Sequence, residues 1–144
     1  MTPSAGDPNP YCHCLFYAAN ALARNITRIG EGAFAQTGLA PSLGFVLMTV
    51  NRRPGIQPSE VAAIMMLSPS TVTRLVDKLE GRGLLRRESQ GKATRIHPTQ
   101  AGQDLQPALA EAWERTHEAY TGLMGEAESA MLTEHVYQAA LSLE

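Results

Sequence analysis

Two cysteines flank a histidine near the amino end of the chain, in the run Cys12-His13-Cys14. The run falls at the predicted start of a long amphipathic helix, and a helix amino terminus lowers the pKa of a thiol and so favours the reactive thiolate. A protonated His13 would add to that effect. The chemistry that these residues support is thiol oxidation, and Cys12 and Cys14 are therefore candidate redox sensors.

The same spacing restricts other cysteine chemistry. Positions two apart on a helix differ in direction by about 200°, so a disulfide between Cys12 and Cys14 requires the first turn to unwind, unless one of them pairs across a dimer. Cys-x-Cys with one adjacent histidine offers too few ligands for zinc, and we predict no metal and no cofactor. The alternative for both cysteines is that they are small buried apolar side chains.

Catalytic patterns are not recognisable in the sequence. The serines and histidines form no nucleophile–base arrangement, there is no glycine-rich phosphate loop, and the carboxylates cluster on outward faces of predicted helices. We therefore predict that the protein is not an enzyme.

Cationic side chains are concentrated in one segment. The net charge of the 144 residues is −2, but residues 68–98 hold seven basic and three acidic side chains, whereas residues 99–144 hold one basic and eight acidic. A local basic block in a mildly acidic chain is typical of a surface for a polyanion. From charge alone, a merely solvated face is an equal alternative.

Apolar periodicity and helix signals predict the elements that carry this block. Ser68 is a good N-cap before Pro69, the next helix ends at Gly81 or Gly83, and Glu60 is placed to close a capping box one helix earlier. Residues 1–10, which are rich in proline and glycine, are predicted to form a mobile arm. Helices are predicted over 11–34, 41–51, 58–67, 69–81, 99–125 and 129–143, with a strand, turn and strand over 84–97.

Two short helices followed by a basic hairpin have the order of a winged helix-turn-helix. Small hydroxyl side chains near the start of the second helix allow close approach to DNA, Arg74 suits a guanine edge, and Lys78 suits the phosphate backbone. The hairpin cations suit a narrow minor groove or its phosphates; alternatively, Arg86, Arg87 and Arg95 only keep an edge hairpin soluble. The predicted DNA-binding residues are Ser68, Ser70, Thr71, Thr73, Arg74, Lys78, Lys92 and Arg95.

Three runs resemble MarR-type transcriptional regulators: GIQPSEVA (55–62), LSPSTVTRLVDKLEGRGLLRR (67–87) and TQAG (99–102). The resemblance extends over nearly the whole chain. It implies a mainly α fold with a small β-hairpin wing, in which a winged helix-turn-helix is joined to a helical dimerisation lobe. It also implies a homodimeric, sequence-specific regulator, usually a repressor, that binds a near-palindromic operator in double-stranded DNA and is released by a small molecule or an oxidant.

On this basis the chain divides into a flexible arm (1–10), a helical dimerisation region (11–36 and 100–144) and a DNA-binding domain (37–99). Some members of the family sense hydroperoxides through a cysteine near the start of the first helix, offset by a residue or two from Cys12 and Cys14. Candidates for an effector pocket between the two lobes, or alternatively plain core residues, are Tyr11, Phe16, Phe45 and Met48.

The wing departs from the family pattern at two points. Gln90-Gly91-Lys92 stands where the family usually has Asp-x-Arg, which predicts a looser wing contact because the carboxylate that would hold the cation is missing. Pro98 stands where the family usually has leucine, which predicts that the second wing strand ends early.

The long first helix and the last two helices need more apolar cover than one lobe supplies, which also predicts a homodimer, with recognition helices about 34 Å apart. No apolar run is long enough to span a bilayer, and no secretory signal is visible. We therefore expect a cytoplasmic protein without a membrane partner. The alternative function is a winged-helix protein–protein interaction module without DNA binding, which would not need the basic block.

Overall fold

The computed structural model describes residues 9–143, so most of the arm predicted over residues 1–10 lies outside the described part of the chain. A mainly helical chain with one two-stranded antiparallel hairpin confirms the predicted fold class. A 3-10 turn at Ala35–Thr37 follows the first helix. The elements are α1 (Leu15–Phe34), α2 (Pro41–Arg52), α3 (Pro58–Met65), α4 (Pro69–Gly81), β1 (Leu85–Gln90), β2 (Ala93–Pro98), α5 (Gln100–Asp104), α6 (Gln106–Met124) and α7 (Glu126–Ser142).

The chain forms two compact units. One combines the chain up to Gly32 with the chain from Thr116 onward, and the other is Ala33–Arg115. The boundaries fall inside α1 and α6, so each of these helices contributes to both units. The functional division of the chain into arm, dimerisation region and DNA-binding domain remains a prediction.

The unit Ala33–Arg115 is built around one apolar core. The apolar residues of α4 at helical spacing predict one buried face. Val72, Val76 and Leu79 are fully buried, whereas Leu75, expected on the same face, is only partly buried, and the opposite face of the helix remains in solvent. The other large, fully buried side chains of this core come from α1, α2, α3, β1, β2 and α6: Phe34, Val46, Leu47, Val50, Val61, Leu85, Ile96 and Leu109.

Local signals set the starts of α3 and α4. The Gln57 side chain accepts from the backbone of Glu60, and the Glu60 carboxylate accepts from the Gln57 N–H at 3.0 Å, which confirms the predicted capping box. Ser68 caps α4 by accepting the Thr71 N–H at 3.3 Å. Between the two helices, Met66 has a φ of 51°, a left-handed conformation that ends α3 slightly before the predicted position.

The wing is a regular hairpin. The pairing runs from Leu85↔Pro98 to Gln90↔Ala93, and Gly91, with a φ of 60°, opens the two-residue turn at its tip. The expectation that Pro98 shortens the second strand is wrong. Pro98 is the last residue of β2, and a proline is tolerated at the end of a two-stranded sheet because little of the ladder depends on its missing N–H.

The single helix predicted over 99–125 is divided at Leu105 into α5 and α6. Pro107 has no N–H to donate to the carbonyl group of Gln103, so the helical ladder is interrupted there. The amide of Asn51 on α2 donates to the Gly102 carbonyl at 3.1 Å and to Gln106 Oε1 at 2.9 Å, which braces the break.

Gly125, with a φ of 90°, separates α6 from α7, which begins at Glu126 rather than at the expected Ser129. Within residues 9–143, no single helix has the length and hydropathy to cross a membrane. The segments Leu15–Thr37 and Pro41–Arg52, which meet at a bend, are long and apolar enough only when they are counted together, and this is a result of length and composition alone.

Candidate nucleic-acid interface

The outward face of α4 is polar along its whole length. Because the apolar residues of this helix occupy the opposite face, its remaining side chains are directed to solvent. Thr71 is partly buried, and the exposed polar side chains of α4 are Ser70, Thr73, Arg74, Asp77, Lys78 and Glu80.

The hydroxyl groups at the start of α4 contact one another. Ser68 Oγ lies 2.8 Å from Thr71 Oγ1 and 3.2 Å from Ser70 Oγ, and Thr73 Oγ1 donates to the Pro69 carbonyl at 3.0 Å. These bonds order the helix start and use much of the donor capacity of the hydroxyls. The hydroxyl oxygens and the threonine methyl groups are therefore the parts most available to an approaching surface.

Arg74 and Lys78 lie one helical turn apart on the exposed face. Neither side chain makes a hydrogen bond or an ion pair with any residue in the described range 9–143. Both cations are thus available to an external partner, and their spacing places them on the same side of the helix.

The carboxylates of the basic block are paired with arginines of β1. Arg87 lies 2.6 Å from Asp77 and 3.3 Å from Glu80, and Arg86 contacts Glu88. The sequence assigned Arg86 and Arg87 only a solubilising alternative. The partners of Arg87 lie seven and ten residues away on another element. The only sequence signal for these ion pairs was the presence of acidic residues in a basic segment.

The two wing cations have different surroundings. Lys92 lies at the tip, exposed and without a bonding partner among residues 9–143, so it can reach outward. Arg95 is partly buried and donates from Nη1 to the Gly55 carbonyl at 3.2 Å, which ties β2 to the loop before α3. Arg95 thus already has a partner inside this unit.

Glu60 has a strongly ordered carboxylate. The Gln57 N–H, and then Arg53, whose Nη2 lies 2.6 Å from Glu60 Oε1, stabilise the ionised form and lower the pKa of Glu60 from its ordinary value. The consequence is a fixed start for α3, the helix that precedes α4.

The cysteines lie before α1, not on it. The Cys14 N–H donates to the Tyr11 carbonyl at 2.9 Å, and the Cys14 carbonyl accepts the Ala18 N–H at 2.9 Å, so Cys14 closes a turn and caps the helix. The expectation that Cys12 and Cys14 occupy the first helical turn is therefore wrong. Cys12 is exposed and Cys14 is partly buried, and the helical argument against their pairing does not apply.

Two of the four expected pocket residues share a cavity. Phe45 and Met48 line a cavity of about 410 Å³ in the unit Ala33–Arg115, where Phe45 packs edge-on against Trp113 at 6.3 Å. Tyr11 and Phe16 belong to the other unit, and both are exposed. The remaining residues that line the cavity are Thr49, Asn51, Arg52 and Gln106.

Metal-ligating residues are dispersed: within residues 9–143, no three or more His, Cys, Asp or Glu side chains are grouped so that they could hold an ion.

The comparison with protein families agrees with this arrangement. Residues 39–95, which include α2 to α4, β1 and the start of β2, match the model described as MarR family. A comparison with curated proteins found no matching sequence.

Several solved structures have the same fold. The MepR–DNA complex of S. aureus is 16% identical, with a TM-score of 0.77 over 90% of this chain and 98% of that one. CouR from Rhodococcus jostii RHA1, bound to p-coumaroyl-CoA, is 24% identical, with a TM-score of 0.74 over 88% and 91%. The transcriptional regulator SlyA is 20% identical, with a TM-score of 0.76 over 90% and 94%.

The two short helices, the exposed basic face of the second and the hairpin that follows it define the fold class as a winged helix-turn-helix. Within that class, the fold is similar to that of MarR-type regulators, and residues 39–95 match the model of that family.

Proposed function

We propose that the protein is a repressor that binds a near-palindromic operator as a homodimer and is released by a small molecule or an oxidant. The observation that carries the proposal is the pair Arg74 and Lys78, exposed on one face of α4 and without a partner among residues 9–143. Arg74 reads a guanine edge, Lys78 holds a phosphate, and Lys92 at the wing tip contacts the adjacent backbone. The protein acts where the DNA is, which we expect to be the cytoplasm.

The homodimer is supported by exposed apolar surface on α1, α6 and α7. Leu15 and Phe16 are 71% and 79% exposed, and Leu123 is 79% exposed. Residues of the same three helices, among them Leu22, Ile26 and several from α7, line an apolar groove of about 350 Å³. A second copy would cover such a surface, and two-fold symmetry would then present two copies of α4 to one operator.

The signal has two candidate sites. The cavity lined by Phe45, Met48 and Trp113 suits a small molecule with an apolar body, and Arg52 at the same cavity suits an acidic group on it. The exposed thiol of Cys12 suits an oxidant. Either event would act by changing the separation of the two recognition helices in the dimer.

Selection of bound sequences from a pool of random duplexes tests this proposal. We expect an inverted repeat with half-sites centred about 10 base pairs apart, a complex of two chains per duplex, and reduced transcription from a promoter that carries the selected site. A bound site without two-fold symmetry, occupied by one chain, would contradict the homodimeric mode. Enrichment of no sequence would favour the interaction module instead.

A further inference from the structure

Arg87 joins the wing to the recognition helix through several contacts. Its Nη2 lies 2.6 Å from Asp77 Oδ1, and its Nη1 lies 3.3 Å from Glu80 Oε2. Its backbone N–H donates to the same Glu80 oxygen at 3.1 Å, and Nη2 also reaches the Thr73 carbonyl at 3.5 Å. One side chain of β1 therefore contacts three residues of α4 spread over two helical turns.

The two carboxylates that Arg87 contacts are unfavourably placed for DNA binding. Asp77 precedes Lys78 directly and follows Arg74 by three residues, and its side chain is 57% exposed. Near a DNA phosphate, an uncompensated Asp77 would repel the backbone that Arg74 and Lys78 attract. The Arg87 guanidinium supplies the compensating charge.

The Arg87 side chain is itself directed towards α4. It is 28% exposed, and both of its terminal nitrogens already have acceptors on that helix. Arg74 and Lys78, in contrast, have no such partners among residues 9–143. This difference separates a cation that acts within the protein from cations that are available to DNA.

We propose that Arg87 is a positioning residue of the DNA-binding surface. It holds α4 against β1 and screens Asp77 and Glu80 from the phosphates, without contacting DNA itself. The proposal rests on α4 being the helix that enters the DNA groove. It assigns a function to an arginine whose alternative role is only to keep the edge of the hairpin soluble.

A double-mutant cycle on the full-length protein separates screening from direct contact. The variants are Arg87→Gln, Asp77→Asn and both together, and the probe is a random-sequence DNA duplex at low salt. Arg87→Gln weakens binding about tenfold, and Asp77→Asn restores most of this loss in the Arg87→Gln background while changing the wild-type affinity little. Asp77→Asn changes the net charge by the same amount in both backgrounds, so a recovery that occurs only in the Arg87→Gln background is not a general charge effect.

Arg86 provides the matched control, since Arg86→Gln removes the same charge from the neighbouring residue, whose ion pair is with Glu88. The effects of Arg86→Gln and Asp77→Asn are expected to add. Affinities are compared at a temperature at which thermal unfolding shows every variant to be folded. Should Arg87→Gln not fold, Arg87→Lys replaces it, because one ammonium group cannot span both carboxylates.

Two results would overturn the proposal. Additive effects of the Arg87 and Asp77 substitutions would mean that Arg87 contacts DNA directly. An unchanged affinity of the Arg87 variant would mean that Arg87 neither screens the carboxylates nor contacts DNA. If the wild-type protein itself fails to bind the duplex, the assignment of α4 fails first, and the two failures are thereby distinguished.

Discussion

Gly102 lies so close to the Leu84 carbonyl that a Cβ at position 102 would sit 2.2 Å from the Leu84 oxygen. The same oxygen accepts the Thr99 N–H at 3.1 Å, and the Thr99 hydroxyl donates to the Gly83 carbonyl at 2.6 Å. The start of α5 is therefore docked on the segment that joins α4 to the wing. This contact explains the glycine in the run TQAG (99–102), because only a residue without a side chain fits there.

Gly102→Ala is predicted to destabilise the protein by about 1–3 kcal/mol, since the backbone of Leu84 must move to admit the methyl group. Urea denaturation measures the change. Gly81→Ala is the control, because an added Cβ there meets no atom within 4 Å, and an alanine in a helix is more favourable than glycine by up to about 1 kcal/mol. Equal stability of Gly102→Ala and the wild type would show that the close approach is not real.

Arg74→Ala is predicted to cost about 1–3 kcal/mol of operator binding and to relax the preference at one base pair, because a guanidinium pairs with both acceptors of guanine. Lys92→Ala is predicted to weaken binding more evenly across sequences. Fluorescence anisotropy on the selected operator and on its single-base variants measures both effects. An unchanged footprint and affinity for Arg74→Ala would refute the assignment of the recognition helix.

Peroxide treatment is predicted to reduce operator affinity in the wild type and not in the double variant Cys12→Ser/Cys14→Ser. Thiol oxidation in the turn that caps α1 would disturb the helix start, and a reductant should reverse a sulfenic acid or a disulfide. The measurement is operator affinity before oxidation, after oxidation and after reduction. An equal response of both proteins to peroxide would remove the redox hypothesis.

The stabilising contribution of Glu60 is predicted to disappear in acid. Its pKa is lowered in the folded state by the Gln57 N–H and by Arg53, so the contribution is complete above the ordinary value of 4.5 and is lost as the pH falls through the lower folded pKa. The difference in unfolding free energy between wild type and Glu60→Gln should therefore shrink below pH 4.5. A pH-independent difference would contradict this.

For that experiment, Glu114→Gln is the control. Glu114 is exposed on α6 and makes no ion pair with other residues in the range 9–143. Its substitution is expected to change the stability little at any pH.

Features of the fold that depend on neighbouring residues could be predicted from the sequence. Ser68 and Pro69 mark the start of α4, and Gln57 and Glu60 close a capping box, because both signals act within one helical turn. The exposed face of α4 follows from the spacing of its apolar residues. The winged helix-turn-helix and the availability of Arg74 could therefore be inferred before the structure.

Features that depend on distant contacts or on competing local signals could not be predicted from the sequence. Pro107 divides α5 from α6 although the apolar periodicity continues across it, and the Asn51 bonds that brace the break come from another helix. Periodicity suggested a helix at Cys12, but a turn forms there because the Cys12 N–H donates to the Asn9 carbonyl and the Cys14 N–H donates to the Tyr11 carbonyl. The contacts of Arg87 cross from a strand to a helix, which no local pattern encodes.

Binding of the full-length protein to random-sequence duplex DNA over a series of salt concentrations tests the central claim most directly. We predict measurable binding at low salt and a linear fall of log K with log salt concentration, with a slope that becomes shallower by about one unit in Lys78→Ala as one phosphate contact is lost. No binding at about 50 mM salt, or binding that does not depend on salt, would contradict the account.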